Sequence, residues 1–188
     1  LKVDKTPPSY SFKLHWHGTR RKPPAAVIAA LDVSGTAPTA SWVVQVGQGQ
    51  GYSVKESGDH LYVTGTLSGA ASVGSCSLTG SRGGYVMKLN KADGTCLWAK
   101  DAPMGRGATA VSDGTSVWAF GSDDASMQYD ATHTIYNLAN SDDVFVGKYD
   151  AADGTGLWAT SIGGPGKDRF ADAVTNLSCG ISQQSSEV

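Results

Sequence analysis

The sequence contains no apolar run of roughly 18 residues, so no segment of it reads as a membrane-crossing helix. Charge is also sparse. Only 17% of its 188 residues are charged and the net charge is −2, which gives no polyanion-binding or strongly acidic character. The one basic cluster, Arg20-Arg21-Lys22, is three residues long and runs into Pro23-Pro24. A solvated loop explains it, and no nucleic-acid partner is expected. Lys and Glu are scarce and no window carries a helical apolar period, which predicts little helix. Leu1 is not an initiator Met and no signal peptide is visible, so the chain reads as a processed or incomplete piece of a longer one.

Catalytic patterns are missing too. Gly163-Gly164-Pro165-Gly166-Lys167 is followed by Asp168, whereas a phosphate loop needs Ser or Thr after the Lys and then a helix. Gly69 to Gly74 reads Gly-Ala-Ala-Ser-Val-Gly and makes no nucleophile elbow. No Ser-His-Asp or Cys-His arrangement can be argued. His15-Trp16-His17 puts two imidazoles on one strand face without a third ligand, and His60 and His133 are isolated. No catalytic residue and no cofactor-binding residue are assigned.

What the chain does have is a phrase written three times: an apolar run, Asp or Asn, a Gly turn and a Trp. The copies run from Ala29-Ala30-Leu31-Asp32 to Trp42, from Met87-Lys88-Leu89-Asn90 to Trp98, and from Gly147-Lys148-Tyr149-Asp150 to Trp158. Between their ends the last two read Lys-Ala-Asp-Gly-Thr-Cys-Leu-Trp and Ala-Ala-Asp-Gly-Thr-Gly-Leu-Trp. A marker Gly follows at fixed distance: Gly65 lies 23 residues after Trp42, and Gly121 lies 23 after Trp98. Self-similarity at a period of 56 to 60 residues, the Trp-to-Trp spacings, marks a repeat architecture.

Each unit breaks into short β-rich segments separated by Gly, Asp and Ser. In the second unit these are residues 51–56, 60–66, 84–90 and 96–101; in the third, about 107–112, 116–121, 143–149 and 156–161. Four such strands predict an antiparallel meander, with Gly94 and Gly154 supplying the positive φ of a tight hairpin. The strand Asp143-Val144-Phe145-Val146-Gly147-Lys148-Tyr149 is apolar on both alternating faces, as is Ala26 to Leu31. A sheet with one wet face alternates; two apolar faces imply neighbours on both sides. The expected fold is therefore all-β, with four-stranded meanders stacked as β-propeller blades. Trp42, Trp98 and Trp158 are expected to lie buried on successive outer strands.

The stretch Asp143 to Asp150, then Gly154, Leu157-Trp158-Ala159-Thr160 and Gly163-Gly164-Pro165-Gly166-Lys167-Asp168, resembles the bacterial SBBP-type β-propeller repeat. It is more loosely similar to quinoprotein propeller repeats. The resemblance covers about residues 11 to 180. It implies a propeller and an extracellular, cell-surface or periplasmic setting, and it implies no activity.

The expected organisation is a linker at 1–10 and a partial propeller at 11–188, with units at about 11–50, 51–106 and 107–169 and the start of another at 170–188. That is about three blades' worth, short of the four to eight a closed propeller typically has. Three cysteines leave at least one unpaired within the chain. Pairing Cys76 with Cys96 requires the 66–83 loop to fold back along the sheet, because a six-residue strand spans roughly 20 Å and a disulfide needs Cα atoms within about 7 Å. Cys179 belongs to another unit, so a partner for it would lie beyond the chain. Asn176-Leu177-Ser178 is a glycosylation triplet, of consequence only in a eukaryotic secreted protein. Asp123, Asp124, Asp130, Asp142 and Asp143 bracket one loop and form a weak candidate Ca²⁺ site without a regular acidic pattern.

Length variation is concentrated in one connection. From the marker Gly to the end of the third strand the count is 13 (Gly18 to Leu31), 24 (Gly65 to Leu89) and 28 (Gly121 to Tyr149). Loops 67–83 and 122–142 are thus the expected partner surface. Together these features lead to a non-catalytic extracellular or cell-surface module for structural assembly or adhesion. Its partners are other protein chains or the rest of its own. The alternatives are a quinoprotein-like oxidoreductase and a glycan-binding propeller with Trp16 or Trp118 as stacking platforms.

Overall fold

A computed structural model describes residues 25–32, 36–37, 39–81, 83–105, 108–123, 127–128, 134–135, 143–164, 168–173 and 179–183. Its elements are all strands: β1 (Ala25–Asp32), β2 (Thr39–Ser57), β3 (His60–Leu67), β4 (Ala71–Val73), β5 (Cys76–Leu78), β6 (Gly84–Asn90), β7 (Cys96–Ala102), β8 (Thr109–Ser112), β9 (Ser116–Asp123), β10 (Met127–Gln128), β11 (Thr134–Ile135), β12 (Asp143–Asp150), β13 (Gly156–Ile162), β14 (Asp168–Ala173) and β15 (Cys179–Gln183). Among the described residues no helix is long and apolar enough to cross a membrane.

The protein is all-β and every strand pairing is antiparallel. β1 to β3 with β6 and β7 form one sheet in the order β1-β2-β3-β6-β7, and a second runs β13-β12-β9-β8. β2 is the main departure from the strand boundaries expected of the sequence. Its residues 39–48 pair with β1 and its residues 49–57 with β3. One 19-residue strand thus closes the first unit and opens the second. The glycines of Gln48-Gly49-Gln50-Gly51 look like a break but make no turn. Instead Gly49 and Gly65 let β2 and β3 approach closely: a Cβ on Gly49 would lie 1.9 Å from the Thr66 carbonyl oxygen, and one on Gly65 2.1 Å from that of Gln50.

Taken unit by unit, residues 49–57, β3, β6 and β7 make one four-stranded meander, and β8, β9, β12 and β13 the next. β14 and β15 pair with each other after it. They occupy the sequence positions of a following unit's first two strands, so that unit starts at Asp168, slightly before the expected 170.

Both faces of each meander are apolar, and both are covered over the inner strands, while Trp158 and Ile162 on β13 are exposed. In β3, Leu61 and Val63 join Ala26, Ile28 and Val46 of the first unit, together with Tyr85, Met87 and Leu89 from β6. The intervening Tyr62, with Val86 and Trp98, faces Ala108, Ala110, Val117, Ala119, Phe145 and Tyr149 of the next unit. Thr64, on that same face, is buried because its hydroxyl donates to the Ala108 carbonyl at 2.7 Å. On the far side of β9 and β12, Phe120, Val144 and Val146 pack with Phe170 and Ala173 of β14. Period-2 side-chain alternation on a strand apolar at every position therefore feeds two separate cores.

Candidate functional site

The recurrent phrase folds into an interlock between consecutive units, and this is the feature the repeat is built around. It has two halves, a turn and a tryptophan, contributed by different units.

The turn joins the third strand of a unit to the fourth, and it is the same in both good copies. Asn90 N–H donates to the Thr95 carbonyl at 2.8 Å and Gly94 N–H to the Asn90 carbonyl at 2.9 Å; Asp150 with Thr155 and Gly154 with Asp150 repeat both distances. Side chains close the rest. Asn90 Oδ1 accepts from Ala92 N–H at 2.8 Å and Asp150 Oδ1 from Ala152 N–H at 2.7 Å. Asp93 Oδ1 accepts from Thr95 N–H, and Asp153 Oδ1 from Thr155 N–H. Those amide donors hold the Asp93 and Asp153 carboxyls below their ordinary range. The connection is thus a longer Asx-stabilised loop, not the two-residue hairpin that Asp-Gly alone suggests.

The tryptophan of the preceding unit lies on that turn. Trp42 Nε1–H donates to the Lys91 carbonyl at 3.1 Å, and Trp98 Nε1–H to the equivalent Ala151 carbonyl at 3.2 Å. The turn glycines touch the rings: a Cβ on Gly94 would sit 2.6 Å from Cε3 of Trp42, and one on Gly154 would sit 2.7 Å from Cδ2 and Cε3 of Trp98. With φ of 73° and 74°, these two positions require glycine for backbone reasons as well.

Lys88 adds a second donor to one seat. It stands opposite Trp98 in the β6–β7 register, its Nζ donates to the same Ala151 carbonyl at 2.8 Å, and its ammonium lies 5.9 Å from the Tyr62 ring centre. Burial pushes its pKa down, and Asp150 partly opposes this. The corresponding residue of the first unit is Ala30, opposite Trp42, so that seat has the indole donor alone. Sequence reasoning assigned Lys88 no role. The available signal was a lysine between Met87 and Leu89 in an otherwise apolar strand, repeated as Lys148 before Tyr149.

Trp158 corrects one expectation. It sits at the position equivalent to Trp98 but is exposed, because among the described residues no third-to-fourth-strand turn lies beyond it. The marker glycines fit close packing. A Cβ on Gly65 would also strike the Tyr85 hydroxyl at 2.6 Å, and one on Gly121 would press Met104 Cβ at 3.0 Å. Tyr85 itself is buried with its hydroxyl unpaired, and burial raises its pKa well beyond the usual tyrosine range.

Cys76 and Cys96 are joined by a disulfide, with Cα atoms 6.1 Å apart. The loop does fold back: β4 and β5 form a small hairpin that returns along the sheet to β7. Its far end is pinned by Asp101, whose carboxylate accepts from Thr79 N–H and Oγ1–H at 2.9 Å and from Gly80 N–H at 2.8 Å. Much of loop 67–83 is thus held by its own chain. Loop 122–142 is described only at residues 122–123, β10 and β11.

Of the acidic candidates, Asp143 is buried against Gly163, and Asp123 ends β9 opposite it in the register. Asp124, Asp130 and Asp142 lie outside the described residues, as do Asn176, His15, Trp16, His17, His133 and the 20–22 cluster. Among the described residues no three metal-ligating side chains converge. His60 has its pKa lowered by burial and by Lys88, against Asp59. Trp118 lies beneath the Lys148 ammonium, 5.2 Å from it. The Gly163-Gly164 amides do not form an open cradle: Gly164 N–H donates to Asp168 Oδ2 at 2.9 Å. Compared with family models and with curated proteins, the chain matches none.

Proposed function

We propose that the chain is a non-catalytic repeat module of the β-propeller type, used for structural assembly or adhesion through protein contacts outside the cell or at its surface. The observation that carries this reading is the interlock, Trp42 on turn 91–95 and Trp98 on turn 151–155, each closed by an indole-to-carbonyl hydrogen bond. Its most repeated side chains are used for joining one sheet to the next. Sheets covered on both faces are what radially arranged blades require. The Cys76–Cys96 disulfide favours an oxidising compartment.

The test is an absorbance scan of the purified protein above 300 nm, with a dye-linked oxidation assay on alcohols and sugars and a glycan array. A featureless spectrum, no turnover and no glycan bound are the expected results. A bound quinone chromophore would establish the oxidoreductase reading in its place, and a saturable sugar signal the lectin reading.

A further inference from the structure

The Lys88–Trp98 seat has a near-copy on the next sheet. Lys148 stands opposite Trp158 in the β12–β13 register, as Lys88 stands opposite Trp98 in β6–β7. An aromatic ring lies under each lysine, Tyr62 in one copy and Trp118 in the other. Four residues beyond each Trp, on the same strand face, are Ala102 and Ile162. Their coverage differs. Trp98 and Ala102 are 5% and 0% exposed under turn 151–155 and its sheet, whereas Trp158 and Ile162 are 40% and 45% exposed.

We propose that this face of β12–β13 is a docking seat for a β-hairpin of the same repeat type, with a turn of sequence Asn/Asp-x-x-Asp-Gly-Thr, from a further repeat unit. The proposal rests on the repeat-module reading above and names the partner that reading needs. In the seat, Trp158 Nε1–H and Lys148 Nζ donate to the carbonyl of the residue after the turn's Asn/Asp, as Trp98 and Lys88 do to Ala151. The turn glycine lies flat on the Trp158 indole and the hairpin covers Ile162.

Two observations select this occupant. First, the seat continues an interface already made. β14 covers the inner part of the same face, with Phe170 stacked on Phe120 at 5.2 Å between ring centres, and β14 and β15 stand where a unit's first two strands belong. Among the described residues that unit has no third and fourth strands, the pair that carries the turn 91–95 and the turn 151–155. Second, the described turns of a second copy of this chain are not open to it. Both turns of this kind among the described residues are already taken, by Trp42 and Trp98.

The probe is a cyclised hairpin peptide carrying residues 145–161 of this chain, whose ends are register partners, with W158F so that it contributes no tryptophan. The full chain is labelled with 5-fluorotryptophan, and the Trp158 line among its five tryptophans is assigned with W158F protein. The expected result is a saturable shift of the Trp158 line with loss of its water/deuterium-oxide isotope shift. Affinity should fall roughly tenfold for a peptide with Gly154→Val, whose side chain meets the indole. It should fall roughly fivefold for Lys148→Met protein, which lacks one donor. An unmoved Trp158 line at about 1 mM peptide overturns the seat. So does equal binding of the Gly154→Val peptide, or burial of Trp158 by dimerisation without peptide. A folded, colourless protein that ignores the peptide refutes the seat alone; a bound chromophore refutes the module reading itself.

Discussion

Gly154→Ala tests the interlock without removing either of its ring or hydrogen-bonding parts. Two costs are expected. The first is conformational: φ is +74°, and a non-glycine residue in the left-handed region costs roughly 1–2 kcal/mol. The second is steric. The new methyl would lie 2.7 Å from two atoms of the Trp98 ring, against about 3.5–4.0 Å for a relaxed carbon contact, so ring and turn must separate by roughly 0.8 Å or more. The ring has little room to give. It is buried, tilted against Tyr62 at 6.3 Å, and tied to Ala151 by a 3.2 Å hydrogen bond that such a shift would lengthen beyond the useful range. Overpacking of this kind costs about 1–3 kcal/mol.

Gly58→Ala is the matched control, with φ of +58° and open space around its Cβ, so it carries the first cost only. Urea denaturation of the two variants should therefore differ by about 1–3 kcal/mol at unchanged m-value, Gly154→Ala being the less stable. In a Trp98→Leu background the excess should largely vanish, a coupling that a double-mutant cycle measures. Equal destabilisation by the two alanines, or an excess that survives removal of Trp98, would refute the claim that the turn bears on the indole.

Trp98→Ala should destabilise by about 3–5 kcal/mol in the same assay, with Trp158→Ala costing well under half of that, since its ring is already partly in water. Reduction of Cys76–Cys96, which closes a loop of sequence separation 20, should lower stability by about 3 kcal/mol and raise hydrogen exchange in β4 and β5 first. Tyr85→Phe should leave neutral-pH stability nearly unchanged or improved and delay alkaline unfolding. The folded protein keeps this phenol protonated, whereas the unfolded chain loses the proton near pH 10, so wild-type stability falls as pH rises above about 10 toward the raised folded pKa. An alkaline midpoint identical in the two proteins would show that Tyr85 does not titrate with unfolding.

Strand positions were legible because they are set locally. Gly58-Asp59 and Asp113-Gly114 end strands by turn chemistry, and the two-faced apolar run of β12 announces neighbours on both sides. Contacts between units were not. The Trp98–Ala151 bond joins residues 53 apart, and nothing near either residue says that an indole on an outer strand seats on a later turn. Lys88 was overlooked for a related reason: a lone lysine reads as a solvated edge until its carbonyl partner, 63 residues on, is in view. The back-folded loop was recognisable as a requirement of the Cys76–Cys96 pairing, but the β4–β5 hairpin that meets it is two three-residue strands, below what pattern reading resolves.

The Trp and the Asp-Gly-Thr turn recur together in the last two phrases, four positions apart from Gly94 to Trp98 and from Gly154 to Trp158, yet the ring pressed most closely on each turn glycine is that of Trp42 or Trp98 respectively. Each turn meets the Trp of the unit before it. A pairing displaced by one unit is what an array needs: every unit presents a turn to its predecessor and an indole to its successor, so any number can be joined through one contact type. The same displacement means that the last indole in a run has no turn unless another unit follows. Among the described residues no such turn follows Trp158, which is exposed where Trp98 is buried, and the Trp158 resonance is where the displacement can be read.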